Sequence, residues 1–306
     1  MKILITGSSG FLGKNLLPKI KQQFNDRSIY AISSKEADLR DAKKCKDLMM
    51  DVNPDIVIHA AGSVGGIIAN KENPGKFIYD NLIMGCNIIH SSMVFNVKKF
   101  ILLGTVCSYP KFTQVPFCEK DLWLGYPEET NAPYGIAKKT LIEMLIAYNK
   151  QYGFNSTSLL PANMYGPHDH FNLTTSHVIP ALIMKVNTAI QSGQESITIW
   201  GTGQVSREFL FVEDCAQAII NAVNVDTDPQ PINIGTGQET KIIDLIEMIC
   251  KIMNYTGEII FDSTKPDGQP RRCLDTSLAK KQLNFEAKTS LNDGLSSTIN
   301  WFLNKR

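Results

Sequence analysis

The sequence predicts an α/β protein: a doubly wound parallel sheet, with a smaller α/β unit toward the C-terminus. Three observations predict it. Short apolar runs of β character alternate with stretches of helical spacing through the first half of the chain. A glycine cluster separates the first apolar run from the first helical stretch. The rhythm then changes after Gly166, where a polar loop, Pro167-His168-Asp169-His170-Phe171-Asn172, introduces shorter elements. Strands alternating with helices form βαβ units and a parallel sheet, and right-handed crossovers place helices on both faces.

The elements follow in order. Residues 2–6 read as the first strand and 11–24 as the first helix. Strands are read at 29–32, 56–61, 99–104 and 156–161, short runs of mainly β character between the helical stretches. Helical periodicity places helices at 41–52, 81–95 and 132–152. Later turn signals fall at Gly201-Thr202-Gly203, Gly235-Thr236-Gly237 and Lys265-Pro266-Asp267-Gly268. The expected division is a first unit of residues 1–165 with a returning segment near 202–232, and a second unit of 166–201 and 233–306.

Composition narrows the function classes. The 306 residues carry 31 Lys and Arg against 30 Asp and Glu. Such a balance excludes a basic nucleic-acid binder and a polybasic membrane-surface protein. With 43% hydrophobic and 20% charged residues the chain can bury a sizeable core. It has no apolar run near the roughly 18–20 residues that a membrane span needs. The first residues, Met1-Lys2-Ile3-Leu4-Ile5, carry no leader pattern, and the expected location is the cytoplasm. The seven cysteines are scattered, with no CxxC pair, so neither a disulfide framework nor a metal site is expected.

Gly7-Ser8-Ser9-Gly10-Phe11-Leu12-Gly13 follows a strand and opens a helix. Glycines there allow a tight turn and close backbone approach to a pyrophosphate, and the helix N-terminus adds amide donors. This is the Rossmann-type context for a dinucleotide. The second strand ends in Ala31-Ile32-Ser33-Ser34-Lys35 rather than in the carboxylate that bonds the ribose 2′-hydroxyl in NAD enzymes. Ser33, Ser34 and Lys35 suit a 2′-phosphate, so the expected cofactor is NADP(H). Glu36 lies beside them with the opposite charge.

Thr105, Tyr134 and Lys138 are the candidate chemical groups. Tyr134 and Lys138 are spaced four apart, on one face of a helix. A neighbouring ammonium and an oxidised nicotinamide favour the phenolate of Tyr134, which suits it to proton transfer near neutral pH. Thr105 lies just past a strand end, at the carboxyl edge where such sheets bind ligands, and its hydroxyl can bond a carbonyl oxygen.

Together these residues resemble the extended short-chain dehydrogenase/reductase superfamily over nearly the whole chain. Further segments resemble the GDP-L-fucose synthase family within it. They are His59-Ala60-Ala61-Gly62-Ser63-Val64-Gly65-Gly66, Phe77-Ile78-Tyr79-Asp80-Asn81, Gly104-Thr105-Val106-Cys107-Ser108-Tyr109-Pro110, Tyr165-Gly166-Pro167-His168-Asp169 and Ser176-His177-Val178-Ile179-Pro180-Ala181-Leu182.

The resemblance implies 3,5-epimerisation and then 4-reduction of a GDP-linked 4-keto-6-deoxy sugar at one site. It implies Cys107 and His177 as the epimerising acid/base pair, Tyr134 as the proton donor to O4, Lys138 on the cofactor ribose, and Thr105 on the carbonyl. It implies Asp38 and Leu39 at the adenine, and Ala60, Ala61, Gly62, Pro161, Asn163 and His177 along the cofactor. Asn163, Lys185, Trp200, Arg207 and Arg271 are the implied substrate contacts, with Arg272 as the alternative register of Arg271. It also implies a homodimer, in which the helices from about Asn81 and Ala132 form a four-helix bundle.

The chain departs from the family pattern in two places. Thr105 stands where Ser is usual, and Val106 replaces a small polar residue. An alternative reading is therefore a C4-reductase alone, acting on a GDP-4-keto-6-deoxy-hexose or GDP-4-keto-heptose after a separate epimerase. An NAD-dependent 4-epimerase or dehydratase is disfavoured by the end of the second strand and by the Cys107 and His177 pair. A non-catalytic NADP-sensing module is disfavoured by the intact Thr105, Tyr134 and Lys138.

Overall fold

The computed structural model describes residues 1–172, 176–265 and 269–304; the expected turn residues Pro266, Asp267 and Gly268 lie outside them. The first half is β1 (Ile3–Thr6), α1 (Phe11–Gln23), β2 (Ile29–Ile32), α2 (Ala42–Val52), β3 (Ile56–His59), α3 (Ile67–Glu72), α4 (Pro74–Val94), β4 (Lys99–Leu103), α5 (Ala132–Tyr152) and β5 (Ser156–Pro161). Then come β6 (Asn163–Tyr165), α6 (Val178–Ser192), β7 (Ser196–Trp200), β8 (Ser206–Phe211), α7 (Val212–Asn224) and β9 (Ile232–Ile234). The chain closes with β10 (Glu239–Lys241), α8 (Ile242–Ile252), β11 (Glu258–Asp262), α9 (Ser277–Leu283) and α10 (Leu291–Asn304).

The main sheet is parallel, in the order β2-β1-β3-β4-β5-β9. Every residue of β1, β3 and β4 is buried, which is why those strands read as continuous apolar runs. The edge strand β2 is mostly half-buried. β1 pairs with β2 on one side and β3 on the other, so the winding reverses there. That reversal opens a crevice at the carboxyl ends of β1 and β3.

Helix α4 begins at Pro74, not near residue 81 as expected from the periodicity. Pro74 occupies the first helical position, where a missing N–H costs nothing, so the proline starts the helix instead of breaking it. Among the described residues no helix is long and apolar enough to cross a membrane.

Two smaller sheets, β10-β8-β6 and β11-β7, carry the second unit. Its own core gathers Tyr165, Ile183, Phe209, Leu245, Ile246 and Ile299. The main core takes in Leu210, Ile219, Ile232, Leu274, Leu283 and Phe285 from late in the chain. Residues 274–285 thus return to the first unit, beyond the segment expected near 202–232. The cause is a ribbon at residues 270–275 laid between β8 and Phe117. Ser206 and Glu208 amides donate to the carbonyls of Pro270 and Arg272, both at 3.0 Å. On the other side the Phe117 amide donates to the Cys273 carbonyl at 2.8 Å, and the Asp275 amide to the Phe117 carbonyl at 3.0 Å.

Two buried polar side chains lock this ribbon. The Glu208 carboxylate accepts from the amides of Leu274 at 2.7 Å and Gly237 at 2.8 Å, and also from Thr236. Burial pushes its carboxyl up, against the pull of those amides. Asn233, on β9, donates to the carbonyls of Phe117 at 2.9 Å and Asp275 at 3.1 Å, and accepts from the Tyr109 hydroxyl at 2.8 Å. Its backbone amide donates to Glu119 at 2.9 Å. Asn233→Ala leaves three buried polar groups without this partner. It is expected to lower unfolding stability by about 2–4 kcal/mol, measured by urea denaturation.

Candidate active site

The crevice begins at the glycine loop. Gly7 adopts φ +73°, and a Cβ there would lie 2.7 Å from the backbone of Ala61. A Cβ on Gly13 would lie 2.3 Å from the carbonyl oxygen of Gly7. Gly10 caps α1 without a side-chain hydrogen bond, and the first turn carries no acidic residue. Uncapped amides and a positive helix end make this a cradle for a pyrophosphate, with Ser9, Gly10, Phe11 and Leu12 at its mouth.

At the end of β2, Ser33 is engaged locally. Its amide and hydroxyl both donate to Glu36, at 2.7 and 2.6 Å, and these bonds hold the Glu36 carboxyl below its ordinary value. Ser34 and Lys35 are exposed. The Arg40 guanidinium grips Asp38 through Nε and Nη2, at 3.0 and 2.8 Å, and holds that carboxyl down at about 2. Leu39 is buried, and its carbonyl accepts from Asn87.

The loop after β3 is pinned from both sides. The Ala61 amide donates to Thr6 Oγ1 at 3.4 Å, and that hydroxyl pairs with His59 Nδ1 at 2.8 Å. Asn81 accepts from the Ser63 amide at 3.1 Å and donates to its carbonyl at 2.9 Å. Lys138 Nζ lies 3.7 Å from where a Gly62 Cβ would stand, so Ala60, Ala61 and Gly62 pass over the lysine.

Thr105 caps a short 3₁₀ turn, Val106–Ser108, by accepting from the Cys107 amide at 3.2 Å. Helix α5 presses onto this turn. A Cβ at Gly135 would lie 2.3 Å from the Cys107 carbonyl oxygen, and the Ser108 hydroxyl donates to the Gly135 carbonyl at 3.0 Å. The contact places Tyr134 in hydrogen-bond reach of Thr105.

Burial, helped by the Cys107 charge, holds Tyr134 well above the ordinary tyrosine range, and the Thr105 bond only partly offsets it. Lys138 is 3% exposed, and burial draws its ammonium down to about 8. Without a bound nicotinamide, desolvation favours the Tyr134 phenol over the phenolate.

His177 stands at the N-cap of α6, on the second unit. The residue is exposed, and neighbouring protein first and the His170 charge second lower its imidazole below the usual histidine range. Pro161 ends β5, and Asn163, half-buried, opens β6 two residues later.

Further out, Trp200 is 56% exposed at the end of β7, with the ammoniums of Lys185 and Lys265 at 5.8 and 5.9 Å from its ring centroid. Arg207 lies on β8 opposite Thr240. Arg271 forks onto Glu239, with Nη2 at 2.6 Å and Nε at 3.1 Å from Oε2. Lys185 and Lys265 thus flank the Trp200 indole, and Arg207 and Arg271 both act on Glu239.

Comparisons with known proteins show the family. Residues 3–235 match the model of the NAD dependent epimerase/dehydratase family. GDP-L-fucose synthase of Escherichia coli K12 is 38% identical over 99% of this chain and 96% of its own length. The chain belongs to the GDP-L-fucose synthase family. GDP-L-colitose synthase of Yersinia pseudotuberculosis is also 38% identical, over 100% of this chain and 99% of its own. Among solved structures, a GDP-6-OMe-4-keto-L-xylo-heptose reductase from C. jejuni superposes with TM-score 0.92, at 28% identity over 100% of this chain and 98% of that one. A GDP-L-fucose synthetase from Naegleria fowleri bound to NADP superposes with TM-score 0.89, at 31% identity over 99% and 92%.

Two groups at the site, Gly135 and Gln269, are not singled out by the sequence, and Arg272 enters there only as the alternative register of Arg271. Gly135 sits unremarked inside the Tyr-x-x-x-Lys spacing. Gln269 and Arg272 are 6% and 9% exposed, and Arg272 Nη1 donates to Cys107 Sγ at 3.6 Å. Alternation along an extended ribbon sends Arg271 and Arg272 to opposite sides, a signal readable only once the ribbon is known to be extended. Gly13→Ala forces its new methyl into the Gly7 carbonyl and moves the first helical amides. Losing one such amide bond to a phosphate, about 1.5–3 kcal/mol, corresponds to a roughly tenfold or larger rise in the Kd for NADPH, readable by titration calorimetry.

Proposed function

We propose that the chain is an NADPH-dependent 3,5-epimerase/4-reductase of a GDP-linked 4-keto-6-deoxy sugar, of the GDP-L-fucose synthase type. The observation that carries the reading is one turn of backbone that puts the Cys107 thiol beside the Thr105 and Tyr134 hydroxyls. A proton-abstracting group and a carbonyl-activating pair thus serve a single ketone.

The 4-keto group acidifies C3–H and C5–H. The Cys107 thiolate takes the proton from one of these carbons, and the electron pair passes to O4, where Thr105 and Tyr134 donate hydrogen bonds to the enolate. His177, as imidazolium, returns a proton to the opposite face of that carbon. Cys107 then holds the abstracted proton and His177 has lost one. Both exchange with water before the second carbon is inverted. The bound dihydronicotinamide supplies the hydride for C4. Tyr134 gives its phenolic proton to O4, and Lys138, buried beneath the loop at Gly62, binds the cofactor ribose and stabilises the phenolate that remains.

The residues fit the cofactor. The glycine cradle matches a pyrophosphate, and exposed Ser34 and Lys35 meet the 2′-phosphate, with Ser33 holding Glu36 back. Asp38 and Leu39 line the adenine, Ala60 to Gly62 the ribose, and Pro161, Asn163 and His177 the nicotinamide end. Asn163 reaches the sugar, Trp200 stacks on guanine, and Lys185, Arg207 and Arg271 receive the diphosphate. The protein is a cytoplasmic homodimer, in which α4 and α5, packed together through Gly85 and Leu141, meet their copies in a four-helix bundle. The likeness to a heptose reductase supports a second reading, C4-reduction alone on a GDP-4-keto-6-deoxy-hexose or GDP-4-keto-heptose, with epimerisation by a separate enzyme.

Incubation with NADPH and GDP-4-keto-6-deoxy-mannose tests the proposal. The expected product has inverted C3 and C5, and Tyr134→Phe is expected to lower its formation by about 10²–10⁴-fold with nucleotide binding retained. A reduced sugar of unchanged C3 and C5 configuration selects the second reading, and no NADPH oxidation with this sugar or with a GDP-4-keto-heptose overturns both.

A further inference from the structure

The Cys107 sulfur has a neighbour that the reaction scheme does not use. Arg272 Nη1 donates to Cys107 Sγ at 3.6 Å, within the range of a hydrogen bond to sulfur. The remaining edge of the same guanidinium is held. Nε and Nη2 donate to Gln269 Oε1 at 3.2 and 2.9 Å, and Gln269 Nε2 donates to the Lys111 carbonyl at 2.8 Å. Arg272 and Gln269 are both nearly fully buried. The Arg272 carbonyl is fixed by the Glu208 amide at 3.0 Å, so the backbone has no freedom to turn the fork away. Arg271, by contrast, is occupied by Glu239 on the surface.

We infer that Arg272 is the positioning residue of Cys107: it aims the sulfur and stabilises its anionic form, while Gln269 holds the guanidinium in register. A buried cation that donates to a sulfur favours the thiolate over the thiol. The Tyr134 phenol also lies against this cysteine and carries no positive charge. Arg272 is thus the positive partner of the thiolate in this pocket. That Cys107 then takes a proton from the sugar rests on the epimerase reading. The contact between Arg272 and the sulfur does not.

Alkylation of the full-length protein by iodoacetamide across pH, read by mass spectrometry on the peptide containing Cys107, tests the assignment without sugar or cofactor. Arg272→Met is expected to move the half-maximal pH of Cys107 modification upward by about one unit or more, with Arg272→Lys between it and the wild type. Gln269→Leu keeps the charge and frees the fork, and is expected to give a smaller upward shift. It carries the test if Arg272→Met does not fold. Superimposable pH profiles for the wild type and the folded variants overturn the assignment. A protein that shows the shift yet forms an unepimerised product refutes the epimerase reading and leaves the role of Arg272 toward Cys107 standing.

Discussion

The backbone contact between Gly135 and Cys107 is the constraint on which the site depends. Only a residue without a Cβ lets α5 approach so closely that the Cys107 carbonyl stands where a side chain would begin. Everything catalytic hangs on that distance. Tyr134, one residue earlier, reaches Thr105; Lys138, one turn later, comes beneath Gly62; and the cysteine is fixed between them. Burial at this contact sets the charge states as well. It keeps the tyrosine protonated and softens the lysine, so the pocket holds a proton ready to give.

A second unit closes over that contact through main-chain hydrogen bonding. The ribbon at residues 270–275 is hydrogen-bonded to β8 on one side and to Phe117 on the other. Glu208 and Asn233 satisfy the polar groups that it buries. Because the ribbon is extended, its two arginines diverge. One joins Glu239 on the surface, and the other reaches the sulfur of Cys107. One short segment thereby links the surface proposed to receive the diphosphate with the group proposed to abstract a proton.

Much of the fold was legible in the sequence, because strands covered on both faces leave unbroken apolar runs and the glycine loop has a physical cause at each glycine. The start of α4 was not, since Pro74-Gly75 reads as a breaker until the proline is seen at the first helical position. The three-stranded sheet of the second unit was not legible either. β6 and β10 have three residues each, too few to show an alternation. Thr105, Tyr134 and Lys138 came from spacing and strand ends. Gly135, Gln269 and Arg272 act through partners distant in sequence, and no local pattern names a partner. Ser33 reads as a phosphate donor in isolation, and in the structure it also bonds Glu36, three residues on.

The central claim is that one pocket both moves protons at carbon and reduces the ketone. The most direct measurement is the reaction of the wild-type protein with NADPH and GDP-4-keto-6-deoxy-mannose in deuterated water, followed by NMR of the reduced sugar. This account predicts deuterium at both C3 and C5. A reduced product with no solvent deuterium at either carbon would contradict it and leave Cys107 as a packing residue in a simple reductase.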